Sequence, residues 1–345
     1  MPDMLARSMM YLNETTSTKW MSRRGQIHSI RENALRVLDY AEPQKFLDDN
    51  KQNIATITFL AGAGSRWVKS VLSAKKRGEA LDVDPDKPRC LAPVEDVINP
   101  GKKVPIGTYN LAALKGIGRH FVVYRTHLQE IKSMAHDAGL DDVTYFEQTV
   151  PGGASSPLGH GDALRQLLPA LPDSLQFVIT NFGGDPNSKE TMITSLLVLA
   201  AMQRAKENLK PYGLMPTAYF ANPTYPITVR KDGLPIDFAH RKLKASPPAA
   251  DNKPAQTNVG IRLYMRGALK DVIFHYEKYY DPQSGYKLDG NVGNEFGLDN
   301  IDAYLSKPGR FRLLCVARPE EIKGSAKTWE NIESFVAAMK MILGK

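Results

Sequence analysis

The sequence predicts an α/β fold in which a mixed, mostly parallel central sheet is flanked by helices. Short apolar runs alternate with helix-like stretches, and the apolar runs lie at 54–60, 121–124, 143–146 and 177–180. The helix-like stretches lie at 67–76, 109–115, 126–138 and 163–171. Strands that are apolar throughout are typical of sheets buried on both faces, and strands that alternate with helices favour parallel pairing.

Ahead of this alternation, residues 1–50 are predicted to form an N-terminal helical extension. Apolar residues recur there at helical spacing, at Ile27, Ile30, Leu35 and Leu38. Charged residues lie between them, as in an amphipathic helix. We therefore expect a helix over 26–40 that packs on the body of the protein.

The main domain is predicted to span 51–345, with one half at about 51–210 and a second at about 211–345. In the second half the predicted strands become shorter and lie at 217–220, 226–230 and 236–243. The last two flank Lys231-Asp232-Gly233, which indicates a hairpin. The Pro- and Ala-rich stretch 245–257 predicts a loop, and a last helix is predicted over 328–343.

Composition excludes several classes of protein. The chain has 345 residues, 42% hydrophobic and 24% charged, which is typical of globular proteins and excludes a disordered or collagen-like chain. The two cysteines, Cys90 and Cys315, lie far apart, so neither a disulfide scaffold nor a zinc ribbon is expected. Without a long apolar run or a secretory signal, we expect a soluble, cytoplasmic protein that does not bind membranes.

The net charge of +8 favours anionic partners. Apart from Lys75-Lys76-Arg77 the basic residues are scattered, and no repeat of aromatic and basic residues is present. Nucleic-acid binding is therefore not expected, and phosphorylated small molecules are favoured.

A glycine-rich turn follows the first apolar run. Leu60 ends the run, and Gly62-Ala63-Gly64-Ser65-Arg66 leads into a helix. Glycines let the backbone approach a phosphate, a helix N-terminus offers free N–H groups, and Arg66 adds a forked donor. The segment matches neither a Walker A loop nor a Rossmann fingerprint, and an ordinary strand-to-helix turn is the alternative. Further along, Lys87 opens a proline-bounded segment over 87–94, from which a cation could return to the same phosphate.

The next candidate segments follow the runs at 143–146 and 177–180. Gln148 carries donors and an acceptor on one amide, as recognition of a base edge requires. Gly159-His160-Gly161-Asp162 could admit a flat ring, although His160 could be a surface residue and Asp162 a helix N-cap. Asp185, after Gly184, would face the ligand crevice at the carboxyl end of a parallel strand, where Mg²⁺ that also contacts phosphates could bind. The alternative is that Asp185 only begins a turn.

Taken together and in order, these segments resemble the nucleotidyltransferases that make nucleotide sugars. The resemblance covers about residues 54–340. Its five elements are the Gly-x-Gly-Ser-Arg turn, the Lys-Pro…Pro-Val segment at 87–94, Gln148 with its glycine-rich loop, Gly184-Asp185, and Thr257-Asn258-Val259-Gly260. Gly-His-Gly-Asp, Gln148 and Lys323 are similar to the UTP–glucose-1-phosphate uridylyltransferase and UDP-sugar pyrophosphorylase branch.

The resemblance implies a Rossmann-like nucleotide-diphospho-sugar transferase fold and a reaction of UTP with a sugar 1-phosphate that releases pyrophosphate. Catalytic roles are implied for Arg66, Lys87 and Lys323, and a Mg²⁺ ligand at Asp185. It also implies nucleotide contacts at Leu60, Gly62, Ala63, Gly64, Ser65, Gln148, Gly159, His160, Gly161 and Asp162. Sugar contacts are implied at Gly184, Asn258 and Gly260.

The chain also departs from the family pattern. Residues 222–228 replace a common Gly-Tyr-Gly stretch, His240 stands where many members have a sugar-binding Glu, and Ile322 or Lys323 falls where many have a second metal-binding Asp. Two alternatives therefore stay open: a cytidylyltransferase for a phosphorylated alcohol, and a nucleotide-binding protein without catalysis.

Overall fold

The structure is a computed structural model and describes residues 20–62, 65–78, 83–150, 152, 157–185, 188–205, 210–220, 227–229, 235–238, 255–288, 294–317 and 340. The predicted hairpin turn at 231–233 lies outside these residues. So does nearly all of the helix predicted over 328–343.

The described ranges contain helices α1 (Trp20–Leu38), α2 (Pro43–Asn50), α3 (Ser65–Lys76), α4 (Ile106–Ala112), α5 (Leu128–Asp137), α6 (His160–Leu167), α7 (Lys189–Arg204), α8 (Arg266–Glu277) and α9 (Leu298–Ser306). The first strands are β1 (Ile54–Phe59), β2 (Pro93–Glu95), β3 (Lys103–Pro105), β4 (Arg119–Tyr124), β5 (Val143–Glu147), β6 (Phe177–Phe182) and β7 (Gly213–Phe220). The later strands are β8 (Ile227–Val229), β9 (Pro235–Phe238), β10 (Ala255–Asn258), β11 (Ile261–Met265), β12 (Tyr280–Asp281), β13 (Gly285–Tyr286) and β14 (Phe311–Ala317).

The main sheet has the order β5-β4-β1-β6-β11-β7-β10-β8-β9, and β14 pairs with β7 beside this path. Strands β5, β4, β1 and β6 are all parallel, and β14 is parallel to β7. Strands β9, β10 and β11 run against the others. The predicted α/β fold with a mixed, mostly parallel sheet is therefore confirmed.

Helices cover both faces of this sheet. All six residues of β1 are buried, and alternate residues contribute to two different apolar clusters. The first cluster, which includes Ile54 and Leu60, is covered by α1, α2, α4, α5 and α7. The second, which includes Ile57 and Phe59, is covered by α6, α8 and α9. A strand buried on both faces is mostly apolar, and in β1 only Thr56 and Thr58 are polar, so the sequence signal for β1 was strong.

The N-terminal helix is also confirmed. Ile27, Ile30, Leu35 and Leu38 are buried in the first cluster, and α1 packs against α7. Because its apolar face belongs to the main core, α1 is part of the same packed body as the sheet.

One predicted loop ends in a strand. The stretch 245–257 was expected to be irregular, but β10 begins at Ala255 and pairs with β7. Its buried Gln256 accepts a hydrogen bond from the Thr217 hydroxyl at 3.0 Å. A short polar strand that is stabilised by such a contact carries no apolar pattern in the sequence. None of the helices within the described ranges has the length and apolar character needed to cross a bilayer.

Candidate functional site

The carboxyl ends of β1 and β6 lie side by side, with Phe59 in register with Phe182. The chain leaves β1 toward the glycine-rich turn, where Gly62 is exposed. It leaves β6 through Gly183 and Gly184 to Asp185, whose N–H donates to the Phe182 carbonyl at 3.2 Å. Two of the predicted segments therefore meet at one edge of the sheet, where α/β folds bind ligands.

Asp185 is paired with an arginine at this edge. Arg89 donates from Nη2 to Asp185 Oδ1 at 3.3 Å, and both side chains are largely buried. The guanidinium lies directly against Gly184, where any Cβ would overlap with it. Gly184 is thus required for the approach of Arg89.

Gly260 lies on the other side of the same carboxylate. Its φ is +85°, and a Cβ there would lie 2.9 Å from Asp185 Oδ2. The Gly260 N–H donates to Asn258 Oδ1 at 3.2 Å, and Arg262 donates to the same oxygen at 3.5 Å. The structure therefore brings Gly184, Asp185, Asn258 and Gly260 together, although they are far apart in sequence.

Arg262 fixes the position of the segment around Gly260. It donates to Asp302 at 2.9 Å and to Asp299 at 2.8 Å, and Asp302 also accepts a hydrogen bond from Tyr264. Burial, with Asp302 beside it, raises the pKa of Tyr264 well above its usual value, so the phenol stays a neutral donor. This cluster joins β11 to α9 and fixes the strand that follows Gly260.

The segment around Gln148 is held together by its own hydrogen bonds. Gln148 Nε2 donates to the Gly159 carbonyl at 3.2 Å and to Asp162 Oδ2 at 3.3 Å. Asp162 is fully buried and also accepts hydrogen bonds from Arg165, Gln166 and Tyr286. In this structure both groups serve to hold the loop at the start of α6.

The two glycines of this loop contact protein. A Cβ on Gly159 would lie 2.5 Å from the Phe296 carbonyl oxygen, and one on Gly161 would lie 2.8 Å from the Phe296 ring. The Gly161 N–H donates to the same carbonyl at 2.9 Å. The Phe296 ring therefore occupies the space beside these two glycines. His160, between them, contacts the rings of Phe182 and Phe59 at centroid distances of 4.6 and 5.1 Å, with its own ring tilted by 59° to each, which places it beside the end of β6.

The remaining predicted residues are Leu60, Lys87, Lys323 and those of the glycine-rich turn. Leu60 is buried and donates from its N–H to the Val123 carbonyl at 2.8 Å. The side chain of Lys87 is 43% exposed, and its Nζ lies 3.9 Å from Glu130 Oε1. It lines a cavity of about 540 Å³ with Trp67, Lys75 and neighbouring prolines. Ser65 and Arg66 are described only as the backbone at the start of α3, and Ala63, Gly64 and Lys323 lie outside the described residues.

The donor set at this edge suits Mg²⁺ only together with phosphate oxygens. In the part of the chain that the structure describes, no three His, Cys, Asp or Glu side chains are grouped to hold a metal. Asp185 supplies a single carboxylate, and Mg²⁺ is commonly bound by one or two carboxylates with water and substrate phosphates. Asp185 therefore fits a metal that arrives with a phosphorylated substrate.

Sequence reasoning missed Arg89 and Arg262. Arg89 lies two residues after Lys87, in the same proline-bounded segment that was predicted to supply a cation. The local sequence does not show which of the two cations faces Asp185. Arg262 lies two residues after Gly260 in β11. A charged residue in an otherwise apolar strand indicates a buried partner, which here is Asp302.

No family model matches the sequence, and no curated protein matches it. Among solved structures, the chain is similar to the inositol-1-phosphate CTP transferase from T. maritima, with 10% identity, a TM-score of 0.49, and coverage of 83% of this chain and 96% of that one. It is also similar to a candidate UDP-N-acetylglucosamine pyrophosphorylase from Entamoeba histolytica, with 10% identity, a TM-score of 0.49, and coverage of 83% and 79%. At this level of similarity neither protein defines the activity of this chain.

Proposed function

We propose that this chain is a nucleotidyltransferase that joins an NTP, most simply UTP, to a sugar 1-phosphate and releases pyrophosphate. The observation that carries the proposal is the arrangement at the carboxyl ends of β1 and β6. Asp185 lies there between Arg89 and Gly260, beside the turn that begins at Gly62. An anionic group, a cationic group and exposed backbone at one ligand-binding edge suit a polyphosphate and its counter-ion.

In this proposal the triphosphate lies over the turn 62–66 and the first N–H groups of α3. Arg66 and Arg89 neutralise its charge, and Lys87 contributes from the solvent side. Arg89 is added to the predicted set because it, rather than Lys87, contacts Asp185. Lys323 keeps its proposed role near the transferred phosphate.

The chemistry requires positioning more than covalent catalysis. An oxygen of the acceptor's phosphate attacks the α-phosphorus in line, a new phosphorus–oxygen bond forms, and the bond to the β-phosphate oxygen breaks with release of pyrophosphate. Mg²⁺, when bound, supplies charge stabilisation of the transferred group. Asp185 would hold this ion, while Asn258 and Gly260 would bind the acceptor.

A second candidate, a cytidylyltransferase for a phosphorylated alcohol, stays open because the proposed base contact suits either pyrimidine. Gln148 already donates its amide hydrogens to Gly159 and Asp162. Its carbonyl oxygen would then face a base, and an acceptor oxygen pairs with the amino group of cytosine or with the N3–H of uracil. The altered stretch at 222–228 is the feature that motivates a phosphorylated alcohol as the acceptor.

A turnover screen tests both candidates. The purified protein would be incubated with Mg²⁺ and each of four NTPs, with a panel of sugar 1-phosphates and phosphorylated alcohols, and pyrophosphate release measured. We expect release with a pyrimidine nucleotide and one acceptor class. Thermal stabilisation by nucleotides without turnover would support the non-catalytic alternative, and neither binding nor turnover would contradict the proposal.

A further inference from the structure

We propose that Asn110 is a positioning residue for Asp185 and acts through the backbone carbonyl of Phe182. Asn110 lies on α4 and is completely buried. Its Nδ2 donates to the Phe182 oxygen at 3.3 Å, and the same oxygen accepts the Asp185 N–H at 3.2 Å. One carbonyl therefore joins α4 to the turn that carries the carboxylate.

Asn110 belongs to a buried polar group beneath this turn. Thr58 and Asn181 are in register on β1 and β6, and they are 0% and 1% exposed. By the alternation of these strands, both side chains lie on the face that α4 and α7 cover. All three residues thus lie in the core, close to the carboxyl ends of the two strands.

Most polar side-chain atoms of this group have no hydrogen-bond partner among the described residues. Thr58 Oγ1, Asn110 Oδ1 and both amide atoms of Asn181 are buried and make no hydrogen bond to any described residue. Buried polar atoms without partners cost free energy, and each calls for an explanation such as internal water or a functional role. Among the described residues, the side chain of Asn110 donates to the carbonyl that closes the Asp185 turn, so this member of the group has a direct link to the turn.

The consequence concerns the geometry of the proposed site. Asp185 Oδ1 lies 3.3 Å from Arg89, and its other oxygen lies close to Gly260. A shift of the turn changes both separations at once. Loss of the Asn110 anchor should therefore misplace the carboxylate without removing any group that touches substrate. The catalytic consequence rests on the proposed function, whereas the anchoring of the turn does not.

The test compares Asn110→Leu with Thr194→Val. Thr194 lies on α7, is fully buried and also has an unpartnered hydroxyl, so it controls for the removal of a buried polar atom. Hydrogen exchange, followed by mass spectrometry of peptides that cover 180–190, reports on the Asp185 N–H. We expect exchange there to become about ten-fold faster in Asn110→Leu and unchanged in Thr194→Val, with similar melting temperatures.

If the wild-type protein turns over, Asn110→Leu should lower kcat about 100-fold, as expected for a misplaced group, with a smaller change in KM for the nucleotide. Wild-type exchange at 180–190 in a folded Asn110→Leu protein would overturn the inference. If that variant does not fold, Asn110→Ser provides the same comparison, and failure of both to melt cooperatively would make Asn110 a packing residue instead. Because exchange is measured without substrate, a failure of the proposed function would not affect this result.

Discussion

Two glycine–aspartate segments follow strands of the sheet, and their carboxylates have different surroundings. Asp162, after Gly161, is fully buried and accepts hydrogen bonds from Gln148, Arg165 and Gln166, and from Tyr286 as well. Asp185, after Gly184, lies at the edge of the sheet with Arg89 as its partner. A carboxylate whose lone pairs are all satisfied inside the protein holds structure, whereas one at the edge of the sheet with lone pairs left over can also bind a ligand.

The largest expected effect is on turnover, and it comes from Asp185. Asp185→Asn should lower kcat about a thousand-fold, because about 4 kcal/mol of transition-state stabilisation by the bound cation is lost. Pyrophosphate release over a Mg²⁺ titration measures this. The melting temperature should fall less than in Asp162→Asn, since Asp185 accepts a side-chain hydrogen bond from Arg89, whereas Asp162 accepts from Gln148, Arg165, Gln166 and Tyr286. Activity close to wild type at ordinary Mg²⁺ would make Asp185 a turn residue and remove the contrast with Asp162.

At Asp162 we expect the main effect on stability rather than on turnover. Asp162→Asn should destabilise the protein by about 3 kcal/mol, because an amide nitrogen would face donors and the buried part of Arg165 would lose its counter-ion. Urea denaturation measures the loss. Asp141→Asn is the matched control, since Asp141 is 78% exposed and pairs only with the exposed His136. A change below about 0.5 kcal/mol, as at ordinary surface sites, would show that Asp162 is not a structural centre.

The pH dependence of stability tests a partly buried histidine at the opposite, amino edge of the sheet. There His120 lies 2.7 Å from the Thr56 hydroxyl, and burial lowers its pKa to about 4. The unfolded chain takes up this proton near pH 6.5, so stability falls as the pH drops from 6.5 toward 4. Between pH 7 and pH 5 this loss should be about 2 kcal/mol.

Urea denaturation at several pH values measures that loss, and His120→Gln should remove it. His136→Gln is the matched control, because it removes a histidine that is 79% exposed. An acid profile in His120→Gln that is identical to that of the wild type would show that the burial of His120 does not cause the acid sensitivity.

The smallest expected effects on stability come from substitutions of two glycines. Gly161→Ala should destabilise the protein by about 1–3 kcal/mol, because its Cβ would press on the Phe296 ring and carbonyl. Gly62→Ala should leave stability within about 0.5 kcal/mol, since no atom of a described residue that is distant in sequence lies within 4 Å of the new Cβ. If the turn binds phosphate, Gly62→Ala lowers turnover nonetheless. Equal effects of the two variants on the melting temperature would contradict the division between a structural and a functional glycine.

The sequence predicted the sheet well and the site in part. Strands β1 and β6 carried mostly apolar runs because nearly all of their residues are buried, whereas β5, at the edge of the sheet, has no fully buried residue. Strand β10 was missed because its stability comes from pairing with β7 and from the hydrogen bond between Gln256 and Thr217. In the same way, the meeting of Asp185 with Gly260 and Arg89 depends on β11 being inserted next to β6, which no local pattern specifies.

The amino-acid sequence by itself determined the fold class, the edge of the sheet at which ligands could bind, and the residue types available there. These follow from periodicity and turn chemistry, which act over a few residues. Only the tertiary structure decided that Gln148 and Asp162 hold a loop, that Phe296 fills the space beside Gly159 and Gly161, and that Arg89 faces Asp185. Each of these depends on a contact between distant segments, and such contacts are set by how the elements pack rather than by the local sequence.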